Sequence, residues 1–347
     1  MSKKVMLVMS VLLIAVFVLS ACAKTAGPAK FKACEVTDTG GVDDKSFNAT
    51  AWKGAVDAKE KLDIEAKYLE SKEIADFEKN INAFIAEKCD IIITVGFLLG
   101  DATKAAAEAN PNQKFSIVDF AYDPVIPNVL AQAFQTDEAA FLAGYAAAGF
   151  TKTGKVGTFG GMQIPTVTIF MDGFARGVRH YNEVHGTSVE TLGWDADAQT
   201  GLFTNDFSDQ QKGSDMAVSL MDEGADIIMP VAGPVGLGAA AAVKARGNAL
   251  IIGVDSDWFL TAPAYTDIIF TSVMKLMDVT TLDAIKAAKD GTFKGGSIVG
   301  TLANGGVGIA PFHNFDGQVS AELKAELEGI KAGILSGEIQ MNPAFKQ

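Results

Sequence analysis

The sequence predicts an α/β fold of two Rossmann-like lobes with parallel sheets, joined by several hinge crossovers. Three observations predict it. From Lys32 onward, short β-branched runs alternate with longer stretches of helical periodicity, as in strand–helix–strand units. The same alternation begins again after the segment Thr151 to Gly154, which indicates a second half. About 320 residues follow the N-terminal segment, more than one hydrophobic core usually serves.

The first half is predicted to contain five strands. Their ranges are 32–37, 63–70, 90–95, 114–119 and 129–134. The segment Asp90 to Val95 is apolar on both faces after its first residue, as a strand buried in a parallel sheet requires. Between the strands, Glu73 to Glu87 carries apolar residues at helical spacing. These features predict an N-terminal lobe over residues 31–136.

The second half repeats the pattern and predicts a C-terminal lobe over residues 137–256. Its predicted strands are 155–159, 189–194, 226–231 and 249–254, and its predicted helices are 167–181, 209–222 and 235–246. The remainder, 257–347, holds a strand at 268–273, a helix at 274–288 and a final amphipathic helix. It is too short for a third domain, so we expect it to cross back and complete both lobes.

The N-terminus predicts export. Lys3 and Lys4 precede the apolar stretch Val5 to Leu19, which is shorter than the about 20 residues of a membrane span. This is typical of a secretory signal. The ending Leu-Ser-Ala-Cys22 resembles a bacterial lipobox, which implies a signal peptide at 1–22, lipidation of Cys22 and a tether at 23–30. The alternatives are an ordinary signal peptide or a signal anchor. We expect an extracytoplasmic protein, held at the cell membrane by its lipid alone.

Composition excludes several function classes. The net charge of −13 argues against nucleic acid or anionic lipid as a partner. Three cysteines and three histidines show no metal-site spacing, and no coherent nucleophile–base set or phosphate-binding loop is present. We therefore predict no catalytic residues, no metal and no cofactor. For Cys34 and Cys89 we expect two buried free thiols in preference to a disulfide.

The loop after the first strand is the strongest candidate for function. Asp38 ends that strand, Gly40 and its neighbour allow a sharp turn, and Ser46 is a reasonable helix N-cap. Ordinary capping chemistry explains much of this pattern. A large aromatic, Phe47, stands among these acceptors at the mouth of the loop, which favours a site that stacks a flat polar ring.

Six motifs in order along the chain resemble one family. They are Asp38–Gly41 with Asp44–Asn48, Glu138–Gly144, Gly160–Val167 with Gly173 and Phe174, Ala232–Gly236, Gly253–Asp257, and Thr271–Lys275. Together they closely resemble the basic membrane lipoproteins, the purine-nucleoside-binding lipoproteins of ABC transporters. That family has a type I periplasmic-binding-protein fold. The resemblance spans essentially the whole mature chain.

The resemblance implies roles for individual residues. Asp38 and Asp44 would bond the base while Phe47 stacks on it, and Asp255 and Lys275 would hold the ribose. The full set of predicted ligand-binding residues is Asp38, Asp44, Phe47, Asn48, Asp137, Met162, Phe174, Met229, Gly233, Asp255 and Lys275. Ionised carboxylates accept only, so they suit the hydroxyl and N–H donors of a nucleoside.

The chain departs from the family pattern at one point. The family usually supplies a second aromatic from the other lobe, which we expect near Ile227 to Val231, where this chain has Met229. Phe174 and Trp258 are the alternatives. Where the family often has an amide, this chain has Asp43 or Asp44, which favours guanosine or inosine over pyrimidine nucleosides.

These features predict a substrate-binding protein of an ABC importer. It would close on a purine nucleoside between its lobes and then dock on the permease and ATPase subunits. One alternative is a nucleoside-processing enzyme. Another is a binding protein or receptor for a different small polar solute, such as a sugar.

Overall fold

The computed structural model describes residues 29–345, and the chain from Lys32 onward forms one compact unit. Cys22, the predicted signal peptide and most of the predicted tether lie outside the described residues. Lipidation of Cys22 therefore stays a prediction. Within residues 29–345, no helix is both long enough and apolar enough to cross a membrane.

The strands follow the predicted alternation closely. They are β1 (Lys32–Val36), β2 (Glu65–Leu69), β3 (Ile91–Val95), β4 (Lys114–Val118), β5 (Val129–Phe134), β6 (Lys155–Gly160), β7 (Glu190–Leu192), β8 (Trp194–Asp195), β9 (Thr200–Gly201), β10 (Ile227–Val231), β11 (Leu250–Asp255), β12 (Ile269–Lys275), β13 (Gly296–Gly300) and β14 (Val307–Ile309). The strand expected over 189–194 is interrupted at Gly193, whose φ of 84° is left-handed backbone that glycine adopts readily.

Two six-stranded sheets define two lobes. The N-lobe sheet has the order β13-β5-β4-β3-β1-β2 and is parallel throughout. The C-lobe sheet has the order β14-β12-β11-β10-β6-β7 and is parallel except for β14. All five residues of β3 are buried, which agrees with the run of apolar residues that both faces of a covered parallel sheet demand. The predicted α/β fold with two parallel sheets is confirmed.

Helices cover both sheets. They are α1 (Phe47–Leu62), α2 (Asp76–Ala86), α3 (Gly100–Ala109), α4 (Thr136–Phe150), α5 (Pro165–His185), α6 (Gln210–Asp222), α7 (Val235–Arg246), α8 (Trp258–Thr261), α9 (Met277–Asp290) and α10 (Ala321–Ser336). Helix α9 packs on α1, and Gly54 permits their close approach because a Cβ there would lie 2.5 Å from the carbonyl oxygen of Asp278.

The chain passes between the lobes three times within the described residues. It leaves the N-lobe between β5 and α4, returns between β12 and α9, and leaves again between β13 and β14. The helix expected to start at Met274 starts instead at Met277, because β12 continues to Lys275 and pairs with β14. This correction places Lys275 at the carboxyl end of a strand.

Cys34 and Cys89 form a disulfide, so the expectation of two free thiols is wrong. Cys34 lies on β1 beside Ile92 of the parallel strand β3, and Cys89 precedes that strand. This pairing brings the two Cα atoms to 6.1 Å, within the range that a disulfide spans. Sequence reasoning missed the bond because it did not use the adjacency of the first and third strands.

Candidate functional site

A cavity lies where the carboxyl ends of the two sheets face each other. Loops after β1, β3 and β4 line it from the N-lobe, and loops after β10, β11 and β12 line it from the C-lobe together with the start of α5. The space between its lining atoms, open solvent included, is about 560 Å³. Ligand sites in such sheets form outside the carboxyl ends of the strands.

Asp38 is held at the end of β1 by its own loop. Its Oδ1 accepts hydrogen bonds from the backbone N–H of Gly40 at 2.9 Å and from Nδ2 of Asn48 at 2.7 Å. Asn48 also accepts from the backbone N–H of Asp38 at 3.2 Å. These bonds fix the carboxylate at the cavity wall and leave Oδ2 available to a ligand.

Asp44 caps helix α1. Its two oxygens accept from the backbone N–H groups of Ser46, Asn48 and Ala49 at 2.7–3.0 Å, and from Nδ2 of Asn48 at 3.0 Å. Ser46 therefore occupies the N-cap position without capping through its side chain. Since four donors already occupy Asp44, its main effect on the site is to hold Asn48 and Phe47 in place.

The opposite wall carries a buried charge cluster. The Nζ atom of Lys275 lies 2.5 Å from Oδ2 of Asp119 and 3.7 Å from Oδ1 of Asp255. Lys275 is 2% exposed. Its Nζ also lies 4.8 Å from the ring centre of Phe47 and 5.5 Å from that of Phe170, within the reach of cation–π attraction. One ammonium thus holds two carboxylates and sits over the rings that line the cavity.

Burial shifts the acids of the site. It raises the pKa of Asp38 to about 6, although the hydrogen bonds from Asn48 and Gly40 oppose the shift. It also raises the pKa of Asp255 to about 6, against the opposing charge of Lys275. The pKa of Asp119 is raised by burial as well, with Lys275 again opposing. The ionised carboxylates therefore have too few hydrogen-bond donors around them to offset their burial. A ligand that donates hydrogen bonds to them would stabilise their ionised forms.

The two lobes contact each other directly around the cavity. Ser46 Oγ lies 2.9 Å from the carbonyl oxygen of Val254 and 3.0 Å from Oδ2 of Asp255. Ser256 Oγ donates to the carbonyl oxygen of Lys45 at 3.2 Å. Lys45 and Ser46 belong to the N-lobe and their partners belong to the C-lobe. The structure therefore shows the two lobes closed around the cavity.

Seven of the eleven predicted ligand-binding residues line the cavity. They are Asp38, Asp44, Phe47, Asn48, Gly233, Asp255 and Lys275. Gly233 has a left-handed φ of 52° in the turn after β10. Asp257, near Asp255 in the sequence, instead caps α8 through the backbone N–H of Phe259.

The other four predicted residues lie elsewhere. Phe174 and Met229 are fully buried, Phe174 where α5 packs against α4 and Met229 in the middle of β10. Neither lines the cavity, so the lining residues give no support to the contact with the base predicted for Phe174 or Met229, which stays a prediction. Asp137 is buried in the first turn of α4, and Met162 is half-buried in the loop after β6, both outside the lining residues. The alternative Trp258 is also fully buried and packs on Gly236 and Gly253.

The lining residues that sequence reasoning missed include Phe97, Asp119, Phe170 and Phe207. Asp119 had a usable signal, because it ends a predicted strand just as Asp38 and Asp255 do. Phe207 follows a short irregular segment. A Cβ atom at Gly161 would lie 2.2 Å from the ring of Phe207, so the glycine is the one sequence feature that reflects the position of this ring. Within residues 29–345, no group of three His, Cys, Asp or Glu side chains is arranged to hold a metal ion.

Known proteins match this chain over nearly its whole length. A nucleoside-binding protein of an ABC transporter from Lactococcus lactis, BmpA, is 32% identical, with 98% of this chain and 99% of that protein covered. An uncharacterised lipoprotein of Pyrococcus abyssi is 34% identical over 80% of this chain and 69% of its own length. The crystal structure of an ABC transporter solute-binding protein from Aeropyrum pernix superposes with a TM-score of 0.81 at 28% identity, covering 91% of this chain and 93% of that one.

The family assignment follows from these matches and from the match to a family model. Residues 31–343 match the family described as Bmp, ABC transporter substrate-binding protein PnrA-like. Its members are binding proteins and not enzymes. The chain belongs to this PnrA-like family and is a substrate-binding protein of an ABC transporter with the type I periplasmic-binding-protein fold.

Proposed function

We propose that the protein binds a purine nucleoside between its lobes and delivers it to the permease of its transporter. One observation carries the proposal. A fixed carboxylate of the N-lobe, Asp38, and the cluster of Asp119, Asp255 and Lys275 both line a cavity that also carries the ring of Phe47. This arrangement matches a ligand with a flat ring and two sets of hydrogen-bond donors.

The base would lie against the N-lobe loop. Asp38 offers its free oxygen to N–H donors of the base, and Phe47 and Phe207 are among the aromatic side chains of the lining that could stack on it. Stacking of a base on an aromatic ring contributes ~1–3 kcal/mol. Guanosine and inosine carry an N–H next to the six-membered-ring carbonyl, so a carboxylate here favours them over adenosine.

The sugar would lie against the buried cluster. Asp255 and Asp119 accept from ribose hydroxyls, and Lys275 donates to a hydroxyl oxygen while neutralising both acids. Hydrogen bonds to charged groups contribute ~1.5–3 kcal/mol each. Several such bonds, plus stacking, are enough for micromolar affinity after the costs of binding.

The charge balance of the cavity selects a neutral ligand. Four carboxylates line it, those of Asp38, Asp44, Asp119 and Asp255, against the single ammonium of Lys275. A phosphate group would meet repulsion without a free cation to pair with. We therefore propose that nucleosides bind and nucleotides do not.

Anchoring and delivery complete the proposal. Cys22 would carry the lipid that holds the protein at the outer side of the cell membrane, and the permease and ATPase subunits would be its partners. Relatives that are named as lipoproteins support the anchor. Ligand contacts from both lobes would stabilise the closed form that the permease accepts.

Isothermal titration tests the proposal. The full chain, stripped of ligand by unfolding and refolding, is titrated with inosine, guanosine, adenosine, uridine, ribose and inosine 5′-monophosphate. We expect a purine nucleoside to bind, and binding to weaken at least tenfold in Phe47→Leu and in Asp255→Asn. The exposed Asp215→Asn on α6 is the matched control and should leave affinity unchanged. No heat with any nucleoside, or binding of ribose alone, would overturn the assignment.

A further inference from the structure

A second cavity adjoins the first on the side of the hinge. It lies between the loop after β4, the end of β5 and the start of α5, and the space between its lining atoms, open solvent included, is about 680 Å³. We call it the side chamber. The chamber and the candidate site share Phe97, Asp119, Thr166 and Lys275. The two cavities are therefore neighbours, and Asp119 and Lys275 of the site lie at their boundary.

The walls of the side chamber are mainly apolar. Phe120, Ala133, Phe134 and Ile169 line it, and Ala121 forms an exposed rim. Its polar groups lie at the shared boundary, with Thr136 nearby at the hinge. A chamber of this character suits a small apolar group. The carboxylate of Asp119 at its entrance repels an anionic group.

The orientation of the sugar determines what reaches the chamber; this step rests on the proposed function. If Asp255 and Lys275 hold two neighbouring ring hydroxyls, the sugar lies at the shared boundary. The base occupies the other side, towards Asp38. In that pose the exocyclic 5′ arm of the ribose would project from the ring towards the side chamber, which meets the site at the shared boundary.

We infer that the side chamber is a subsite for a short apolar substituent on the 5′ carbon of a nucleoside. The ligand range then includes 5′-alkylthio nucleosides as well as unmodified ones. A 5′-phosphate is refused by the same boundary, since Lys275 is already paired with Asp119 and Asp255. The chamber thus distinguishes 5′ substituents by charge.

The experiment compares inosine with 5′-deoxy-5′-(methylthio)inosine by calorimetry on the full chain. Burial of one methylene-sized group raises affinity about fourfold, so we expect the methylthio derivative to bind at least as tightly as inosine. Ala121→Phe fills the rim of the chamber and should weaken the derivative at least tenfold while inosine stays within twofold. Ala121→Ser, which adds little volume, is the matched control and should leave both affinities unchanged.

Two results overturn the inference, and a third has a separate meaning. The inference fails if inosine binds and the derivative binds more than fivefold more weakly. It also fails if Ala121→Phe changes the two affinities by the same factor. If inosine itself does not bind, the proposed nucleoside function fails and takes this inference with it.

Discussion

The two halves of the candidate site are built differently. In the N-lobe half, Asp38, Asp44 and Asn48 bond to one another and to the backbone of a single loop. In the C-lobe half, the hydrogen bonds of Asp255 and Lys275 run across the cleft, from Ser46 and to Asp119. The first half exists without closure of the lobes, and the second is completed by it.

This difference separates two roles that a substrate-binding protein must combine. A preformed half pays its ordering cost during folding, so it can capture a ligand from the open form. A half that depends on closure makes the closed form responsive to the ligand, because the ligand stabilises contacts absent from the open form. Changes in the N-lobe half should therefore alter stability and affinity together, and changes in the C-lobe half should alter affinity alone.

Loss of Lys275 should have the largest effect. Lys275→Met leaves Asp119 and Asp255 buried together without a counter-charge when the lobes close, and breaking a buried pair costs ~3–5 kcal/mol. We expect inosine affinity to fall at least 100-fold while the unfolding free energy of the open, ligand-free protein changes by less than about 1 kcal/mol. Calorimetry and urea unfolding measure the two quantities. Lys286→Met, at an exposed position of α9, is the control. An equal loss in both would contradict the division of roles.

Acid should weaken binding through both halves. The raised pKa of about 6 leaves Asp38 and Asp255 ionised above that pH and protonated below it. A ligand that donates to these carboxylates binds their ionised forms, so affinity is full above pH 6 and falls as the pH drops through 6. At pH 5 the loss is about tenfold for each group. Titration of inosine at pH 7 and pH 5 measures it.

Two variants, Asp38→Asn and Asp255→Asn, separate the contributions of the two carboxyls to this pH dependence. Each should bind inosine more weakly at pH 7, and each should lose about half of the pH dependence. The contribution of these two carboxyls to the stability of the ligand-free protein has the opposite slope. At Asp38 and Asp255 the folded form binds more protons than the unfolded one between about pH 4 and 6, so their contribution to the unfolding free energy falls as the pH rises through that window. A flat affinity profile would show that the ligand does not donate to these carboxylates.

The same division explains what the sequence could predict. Local patterns identified ten of the fourteen strands in the described residues, but not β13 or β14 at the edges of the two sheets. They also identified Asp38 and Asp255, because each follows a buried strand. Local patterns do not reveal which strands lie side by side. The disulfide of Cys34 with Cys89 depends on β1 lying beside β3, and the end of β12 depends on its pairing with β14. The ring of Phe207 reaches the cavity from an irregular segment, where no periodicity exists to interpret.

Removal of the helix cap should test the preformed half. Asp44→Ala deletes an acceptor of four hydrogen bonds at the start of α1, and N-cap losses typically cost ~0.5–2 kcal/mol. We expect the unfolding free energy to fall by about 2 kcal/mol and the inosine affinity to fall about tenfold. Asp44→Asn keeps one acceptor oxygen and should lose about half as much in both. Affinity that falls with no change in stability would contradict a preformed half.

The smallest effect should come from Ser46, which joins the two halves. Its hydroxyl reaches Val254 and Asp255 across the cleft, so Ser46→Ala removes a bond that exists only when the lobes are closed. A hydrogen bond of this kind contributes ~1 kcal/mol, which corresponds to about fivefold in affinity. We expect faster dissociation of inosine in stopped-flow measurements, an unchanged association rate and unchanged unfolding of the ligand-free protein. Thr50→Ala, on the same helix but bonded to the carbonyl of Ser46 within the N-lobe, is the control and should leave the dissociation rate as it is. A slower association rate with normal dissociation would mean that Ser46 shapes the open site and not the closed one.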